Sequence, residues 1–347
     1  MEAVQPNADW QRWWARYGTM SSLGAGILIL VLISFASNPN ETEAVLSSTL
    51  RQSTPLILGA LCGLLGERSG VINIGIEGQM LLGAFVGFMT NVWLSSVPEM
   101  GDGPRLFLAV LAGVSAGAVL GALLALMSVT LKIDQIIGGT VINILALGIT
   151  GFFYTVNVQT SGKLQPVPLG PLVDIPLIGP VLFDNPPITY ATIALVFLVH
   201  YVLFYTRWGL RTRAVGEHPR AADTLGVNVF TVRYVNVIVG GALAGLAGAF
   251  LTIEAVGSFE RAMTNGRGFL ALAVMIFGKY TPLGAWGAAL LFGFATAMQS
   301  QLQFGGEIDI PHQFIGMLPY LLTIVVLAGF VGRTRVPAAD GIPYEKE

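Results

Sequence analysis

The residues best placed to do chemistry crowd into one stretch, GERSGVINIGIEGQM at Gly66–Met80. Glu67, Arg68, Asn73, Glu77 and Gln79 fall within 13 residues there, between two apolar runs. Glycines at 66, 70, 75 and 78 are expected to break helix continuity. Carboxylates and amides on broken backbone suit hydrogen bonding to a solute. Unwound backbone at membrane depth is tolerated only where it is buried in protein or lines a water-filled cavity. Transporters place substrate sites and gates in such discontinuous segments. The plain alternative is an ordinary cytoplasmic loop.

A second stretch is GLRTRAVGEHPRAADTLGVN at Gly209–Asn228. Pro219 suits the first position of a helix and Gly226 suits its end. The punctuation predicts a helix of two turns, with Ala221, Ala222 and Leu225 on one side and Arg220 and Asp223 available for polar contact. Such a helix is too polar to cross a membrane and too short to stand alone, so it needs a surface to dock against. The alternative is a basic loop that only sets orientation. Asn143 is a further polar residue inside an apolar run, with pore-lining and structural roles both open.

Enzymatic constellations are missing from the reading. His200, His218 and His312 are far apart and fit no metal-ligand spacing, so no metal is expected. No strand–turn–helix G-x-S-x-G elbow is expected. Lys163 and Lys279 are followed by Leu and Tyr, which excludes a Walker A lysine. If ATP is used, another chain hydrolyses it. The single cysteine, Cys62, reads as a small packing residue.

The elements that must position these residues follow from composition. Of 347 residues, 54% are hydrophobic and 11% are charged. Soluble domains carry about 25% charge. Disorder and an ordinary soluble domain are both excluded, which leaves an all-α polytopic membrane protein. Ten apolar runs of spanning character are expected, at 18–36, 44–65, 78–95, 105–130, 136–156, 188–206, 231–253, 267–279, 282–303 and 312–331. The run at 267–279 is short and reads as a half-helix or as the end of a longer one. With the N-terminus inside, 13 of the 18 Lys and Arg fall on the cytoplasmic side, which predicts both termini there.

Small residues recur at every fourth position. Gly113, Gly117 and Gly121 form one stripe, and Gly240, Ala244 and Gly248 another, with Gly241, Gly245 and Ala249 beside it. These predict closely packed helices and say nothing of a substrate. The segment 157–187 is Pro-rich and falls outside, as a connector or a docking surface. The segment 207–233 carries five arginines and falls inside.

The two polar stretches together resemble the permease subunits of bacterial ABC importers, in the family of the ribose, simple-sugar and branched-chain amino-acid permeases. ERSGVINIGIEGQM at Glu67–Met80 looks most like nucleoside importers that use a basic-membrane-protein type binding lipoprotein. AVGEHPRAADTLGVNV at Ala214–Val229 looks like the family's cytoplasmic coupling segment, which contacts the ATPase. The resemblance runs from about residue 44 to 331.

It implies a single transmembrane permease domain at 18–331, with a coupling segment at 207–230. An N-terminal extension, 1–17, carries Trp10, Trp13 and Trp14, and a cytoplasmic tail occupies 332–347. It implies a substrate path through Asn73, Glu77, Gln79 and Asn143. ATPase coupling would fall on Gly216, Glu217, Pro219, Arg220, Ala221, Ala222 and Gly226. It also implies a second, different permease subunit, a separate ATPase that uses the ATP, an external binding protein and a bacterial inner-membrane location. No cofactor is expected on this chain. A nucleoside is the expected solute, with a simple sugar or branched-chain amino acid as the alternative and a stand-alone secondary transporter as the rival mechanism.

Overall fold

The computed structural model describes residues 33–97, 100–155, 158, 162–304, 316–317, 321 and 335–346. Helices dominate them. Helix α1 is Pro39–Arg68, α2 is Ile76–Leu94, and α3 is Asp102–Ala125 with a π turn to Thr130. Helix α4 is Gln135–Phe153, α5 is Ile178–Phe183 and α6 is Pro187–Tyr205. Two short helices follow, α7 at Arg207–Glu217 and α8 at Pro219–Thr224. Helix α9 is Val229–Ala249 with a π segment to Val256, α10 is Arg267–Phe277 and α11 is Pro282–Phe304. Among the described residues the only strand pair is antiparallel, joining Val167–Pro168 to Asp184–Asn185. It folds the 167–185 segment back on itself.

Helices occupy eight of the ten expected spans. The other two, 18–36 and 312–331, lie largely outside the described residues. Four helices are long and apolar enough to cross a membrane: Asp102–Thr130, Gln135–Phe153, Pro187–Tyr205 and Val229–Val256. The last is 78% buried, against 28–39% for the other three. Helix α9 is therefore the central post, and the others turn large apolar side chains such as Phe107, Ile144 and Phe197 outward.

Glycine explains how α9 can touch so many neighbours. Gly241 and Gly245 meet the backbone of Gly117 and Gly121 on α3. A Cβ at Gly240 would stand 2.8 Å from the Cys62 carbonyl of α1, and Gly248 meets the backbone of α2 at Met80 and Ala84. Both predicted stripes are thus helix contacts, used on three sides of one helix. Without Cβ atoms in the way, backbones close up and gain dispersion contacts that lipid cannot match.

Four local expectations need correction. Of the four glycines at 66–78, only Gly70 and Gly75 lie in a helix break. Gly66 is inside α1, where a Cβ would stand 2.8 Å from the Val71 carbonyl, and Gly78 is inside α2, packed on Asn143. The 207–217 segment is a helix, α7, rather than a basic loop. Its Thr206 cap accepts from Gly209 N, and Thr212, Val215 and Gly216 point inward while Arg207, Arg211 and Glu217 do not. In α8 only Ala222 is buried. Ala221 and Leu225 are exposed, because the six-residue helix is too short to present a full stripe. The spelling G-x-S-x-G does occur, at Gly113–Gly117. It lies in mid-helix, with Ser115 donating to the Leu111 carbonyl, and is no elbow.

Candidate functional site

After Arg68 the chain turns at Gly70, whose φ of +85° suits glycine, and doubles back along α1. Ile76 contacts α1 at the level of Gly59 and Gly63. Helix α2 therefore begins about 10 Å back from the end of α1, given the 1.5 Å rise per residue. Helix α10 enters at the same height. A Cβ at Gly59 would stand 2.7 Å from Ala271, and one at Gly63 3.0 Å from Met275. The 11 residues of α10 span about 16 Å, half the ~30 Å of a bilayer core. It is a half-helix, one of the two readings of 267–279.

The N-termini of two broken helices thus meet inside the bundle, and Glu77 joins them. Its carboxylate accepts from Gly266 N at 2.8 Å and from Gly268 N at 2.6 Å. These are free first-turn donors of α10, whose N-cap, Gly266, supplies no side chain. Glu77 also sits in the first turn of α2, where the helix dipole favours an anion. Gly268 must be glycine here, since a Cβ would stand 2.5 Å from the Glu77 backbone.

Asn143 treats α2 the same way. Its Oδ1 accepts from Gly78 N at 2.7 Å, and its Nδ2 donates to the Ile74 carbonyl at 3.1 Å. One amide from α4 therefore holds both the broken strand and the helix that follows it. Asn73 donates to Gln79 Oε1 at 3.0 Å and to Cys62 Sγ at 3.3 Å, and all three side chains are buried. Replacing Asn143 by leucine is expected to leave a buried donor and acceptor unpaired. That costs about 2–4 kcal/mol, read as a lower thermal-aggregation midpoint in detergent. Asn143→Asp, which keeps the Gly78 acceptor, is expected to lose less.

Above this junction lies a cavity of about 1060 Å³. Ser47, Ser48, Arg51, Gln52 and Pro55 of α1 form one wall, and Phe250, Leu251 and Glu254 of the α9 π segment another. Arg267, at the start of α10, lines it too. None of Asn73, Glu77, Gln79 and Asn143 is among its lining residues. The structure gathers those four at the junction below it.

Glu254 was not singled out from the sequence. It accepts from Ile188 N at 2.7 Å, Thr189 N at 3.2 Å and Thr189 Oγ1 at 2.6 Å, which caps α6. A lone carboxylate ending the apolar run 236–253 was the available signal.

At the opposite end of α1, Gly216 packs on the Arg68 carbonyl so tightly that no Cβ fits. Arg68 in turn donates to the Tyr280 carbonyl at 2.7 Å. Gly226 closes α8 with φ +81°, as the sequence predicted, and Glu217 and Arg220 are exposed.

The profile of the family described as branched-chain amino acid transport system, permease component, matches residues 45–327. The chain belongs to that permease family. It is 41% identical over 313 residues to the guanosine ABC transporter permease protein NupQ of Bacillus subtilis, covering 87% of this chain and 96% of that protein. It is 39% identical over 319 residues to the nucleoside ABC transporter permease protein NupC of Lactococcus lactis, covering 88% and 98%. A putative glucose ABC transporter permease, TsgC13 of Haloferax volcanii, is 34% identical over 335 residues, covering 87% and 98%. Each of the two bacteria also holds a more distant match, at 27% and 25% identity. Family membership and four apolar helices of crossing length make this permease an integral membrane protein.

Proposed function

We propose that this permease is the membrane subunit of an ABC importer for nucleosides, spanning the bacterial inner membrane ten times with both termini inside. The observation that carries the solute class is the identity of about two in five residues, over nearly the full length, to permeases named for guanosine and nucleosides. The cavity fits this reading. At about 1060 Å³ it admits a nucleoside, and Ser47, Ser48, Gln52 and Asn265 offer hydrogen bonds to ribose hydroxyls and base edges. The path runs from the cavity to the junction of α2 and α10, where Glu77, Asn73, Gln79 and Asn143 form its closed floor. The glucose-permease relative supports a sugar as the second reading.

The domain limits are those read from the sequence, 18–331 with coupling at 207–230. A second permease subunit completes the membrane pair, in line with the two matches found in each bacterium. A separate ATPase binds α8 and uses the ATP, and an external lipoprotein delivers the solute. This chain carries no catalytic step and holds no cofactor. In that assembly Gly216 and Gly226 shape the ends of the coupling unit. Pro219, Ala221 and Ala222 build its helix, and Glu217 and Arg220 meet the ATPase.

The test is uptake by the four-component complex in liposomes. Guanosine accumulation on ATP addition, with no glucose accumulation, is expected; the reverse would move the solute to sugars. Uptake by this chain alone on an ion gradient would remove the ABC reading. Arg220→Ala or Glu217→Ala is expected to lower uptake per ATP roughly 5- to 10-fold, the size of a typical coupling free energy. If uptake and coupling survive, α8 is not the ATPase contact.

A further inference from the structure

The tail 335–346 lies across the coupling unit and the turn that begins the Gly66–Met80 segment. Ala339 N donates to the Gly216 carbonyl at 2.9 Å, and Ala338 N to Glu217 Oε2 at 3.3 Å. Tyr344 is buried among Val215, Ala222, Val229 and Val232, with its ring 5.5 Å from that of Phe230 at 62°. On the other side, a Cβ at Gly70 would stand 2.9 Å from the Ala339 carbonyl, and one at Gly341 2.8 Å from Ile72. Arg233 joins the layers. Its fully buried guanidinium donates to the Ser69 carbonyl at 3.1 Å and to the Ile342 carbonyl at 2.9 Å.

This arrangement has mechanical meaning. Helix α8 has six residues and buries only Ala222, so it cannot carry a load by itself. Its covalent exit is the exposed left-handed Gly226. The tail supplies a second, packed connection from α7 and α8 to the 66–72 turn, and through it to the junction at Glu77.

We propose that segment 335–346 is a strap that transmits movement of α8 to the α1–α2 turn, with Asp340, Glu67 and Arg233 as its positioning residues. The proposal rests on α8 being the ATPase contact. The buried Glu67 carboxyl and the Asp340 carboxyl face each other across the tail and the end of α1, close enough for the Asp340 charge to raise the Glu67 carboxyl. Two neighbouring buried carboxylates cannot both ionise without repulsion, so the pair holds one shared proton near neutral pH. Tyr280 faces the pair from the α10–α11 turn, and Arg233 faces it from α9. The Glu217 charge of α7 acts on Arg68 alongside, and Tyr344 faces Arg233. Burial, then the neighbouring Asp340 charge, pushes the Glu67 carboxyl up to about 8, above the Asp340 carboxyl at about 6, so the shared proton rests on Glu67. With the tail released, Glu67 would lose that proton at lower pH. The strap is therefore fully fastened below the ordinary carboxylate range, and its hold weakens as pH rises through the raised value.

The test uses the four-component complex in liposomes and measures solute moved per ATP hydrolysed against pH. For wild type the ratio is expected to fall several-fold between about pH 6 and about pH 9. Asp340→Asn donates from an amide that does not titrate, so its ratio is expected to stay within about twofold over that range. Parallel profiles overturn the proposal. Removing residues 335–347 is expected to leave ATP hydrolysis and cut the ratio at least about fivefold, within the range of known coupling energies. A wild-type ratio overturns it. Should the shortened chain not assemble, a spin label on Val336→Cys in the full complex decides, since the one native cysteine, Cys62, is buried. Mobility that rises with pH in wild type but not in Asp340→Asn supports the strap, and an unchanging signal in both sinks it. The label reports whether or not ATP drives uptake, so loss of the strap and loss of the importer reading are separate results.

Discussion

Replacing Gly117 by valine is expected to prevent assembly of the bundle. A Cβ there would collide with the Gly241 carbonyl and stand 2.5 Å from Gly245 Cα. Both obstacles are backbone, and both belong to α9, the most buried of the four apolar helices. No rotamer change relieves the clash, and α3 must move away as a unit. Overpacking a soluble core with extra methylenes typically costs about 1–3 kcal/mol, with side chains free to adjust. Here nothing adjusts, so the cost is at least about 3 kcal/mol, and it spreads along an interface that includes Gly113 and Gly121. The expected reading is loss of the monodisperse peak after detergent extraction. Gly148 is the control. It lies in α4 with no atom within 4 Å of an added Cβ. Gly148→Ala is expected to be neutral or to stabilise by up to about 1 kcal/mol. If the two variants behave alike, glycine contact does not hold α3 to α9.

Removing the carboxylate of Glu77 is expected to be nearly as severe, for an electrical rather than a steric reason. Glu77→Ala leaves Gly268 N without its 2.6 Å acceptor and removes the negative charge that the partly buried Arg267 guanidinium feels. The bond to Gly266 N is exposed and water can replace it. Loss of one buried charged bond and of the dipole interaction at α10 comes to about 3 kcal/mol. The expected results are a lower thermal-aggregation midpoint and at least about a 10-fold loss of uptake, because the floor of the cavity loses its geometry. Glu77→Gln keeps one acceptor and turns its NH₂ toward the other donor, so it is expected to recover part of the stability. A Glu77→Ala protein with wild-type stability and uptake would remove the junction from both fold and function.

Much of this was legible because a bilayer leaves strong marks. Apolar runs located eight helices, the short run at 267–279 announced the half-helix, and Pro219 with Gly226 bounded α8. The stripes at Gly113 and Gly240 pointed to close contacts, although periodicity could not tell which helix each faced. The polar stretch at Glu67–Met80 was recognisable, but its path was not. A run of glycines reads as a loop, and only the packing of Ile76 on Gly59 and Gly63 shows the chain doubling back. Helix α7 was hidden because its arginines dominate its composition while Thr212, Val215 and Gly216 carry the packing. Arg233 and the tail were missed because their bonds run to the carbonyls of Ser69 and Ile342, and backbone partners leave no pattern in side-chain types.

Glu77 also sets the order in which the chain can be built. Helix α10 begins inside the bundle, where Gly266 N and Gly268 N are capped by a side chain from another helix and not by one of their own segment. Their acceptor was synthesised 189 residues earlier. As it leaves the ribosome, this half-helix is too short to span and too poorly terminated to rest in lipid by itself. It must wait at the translocation machinery, or at the membrane surface, until α2 is in place to receive it. Helix α10 is thus among the last segments to be committed, and its start is secured only once Glu77 of α2 is in place to receive it.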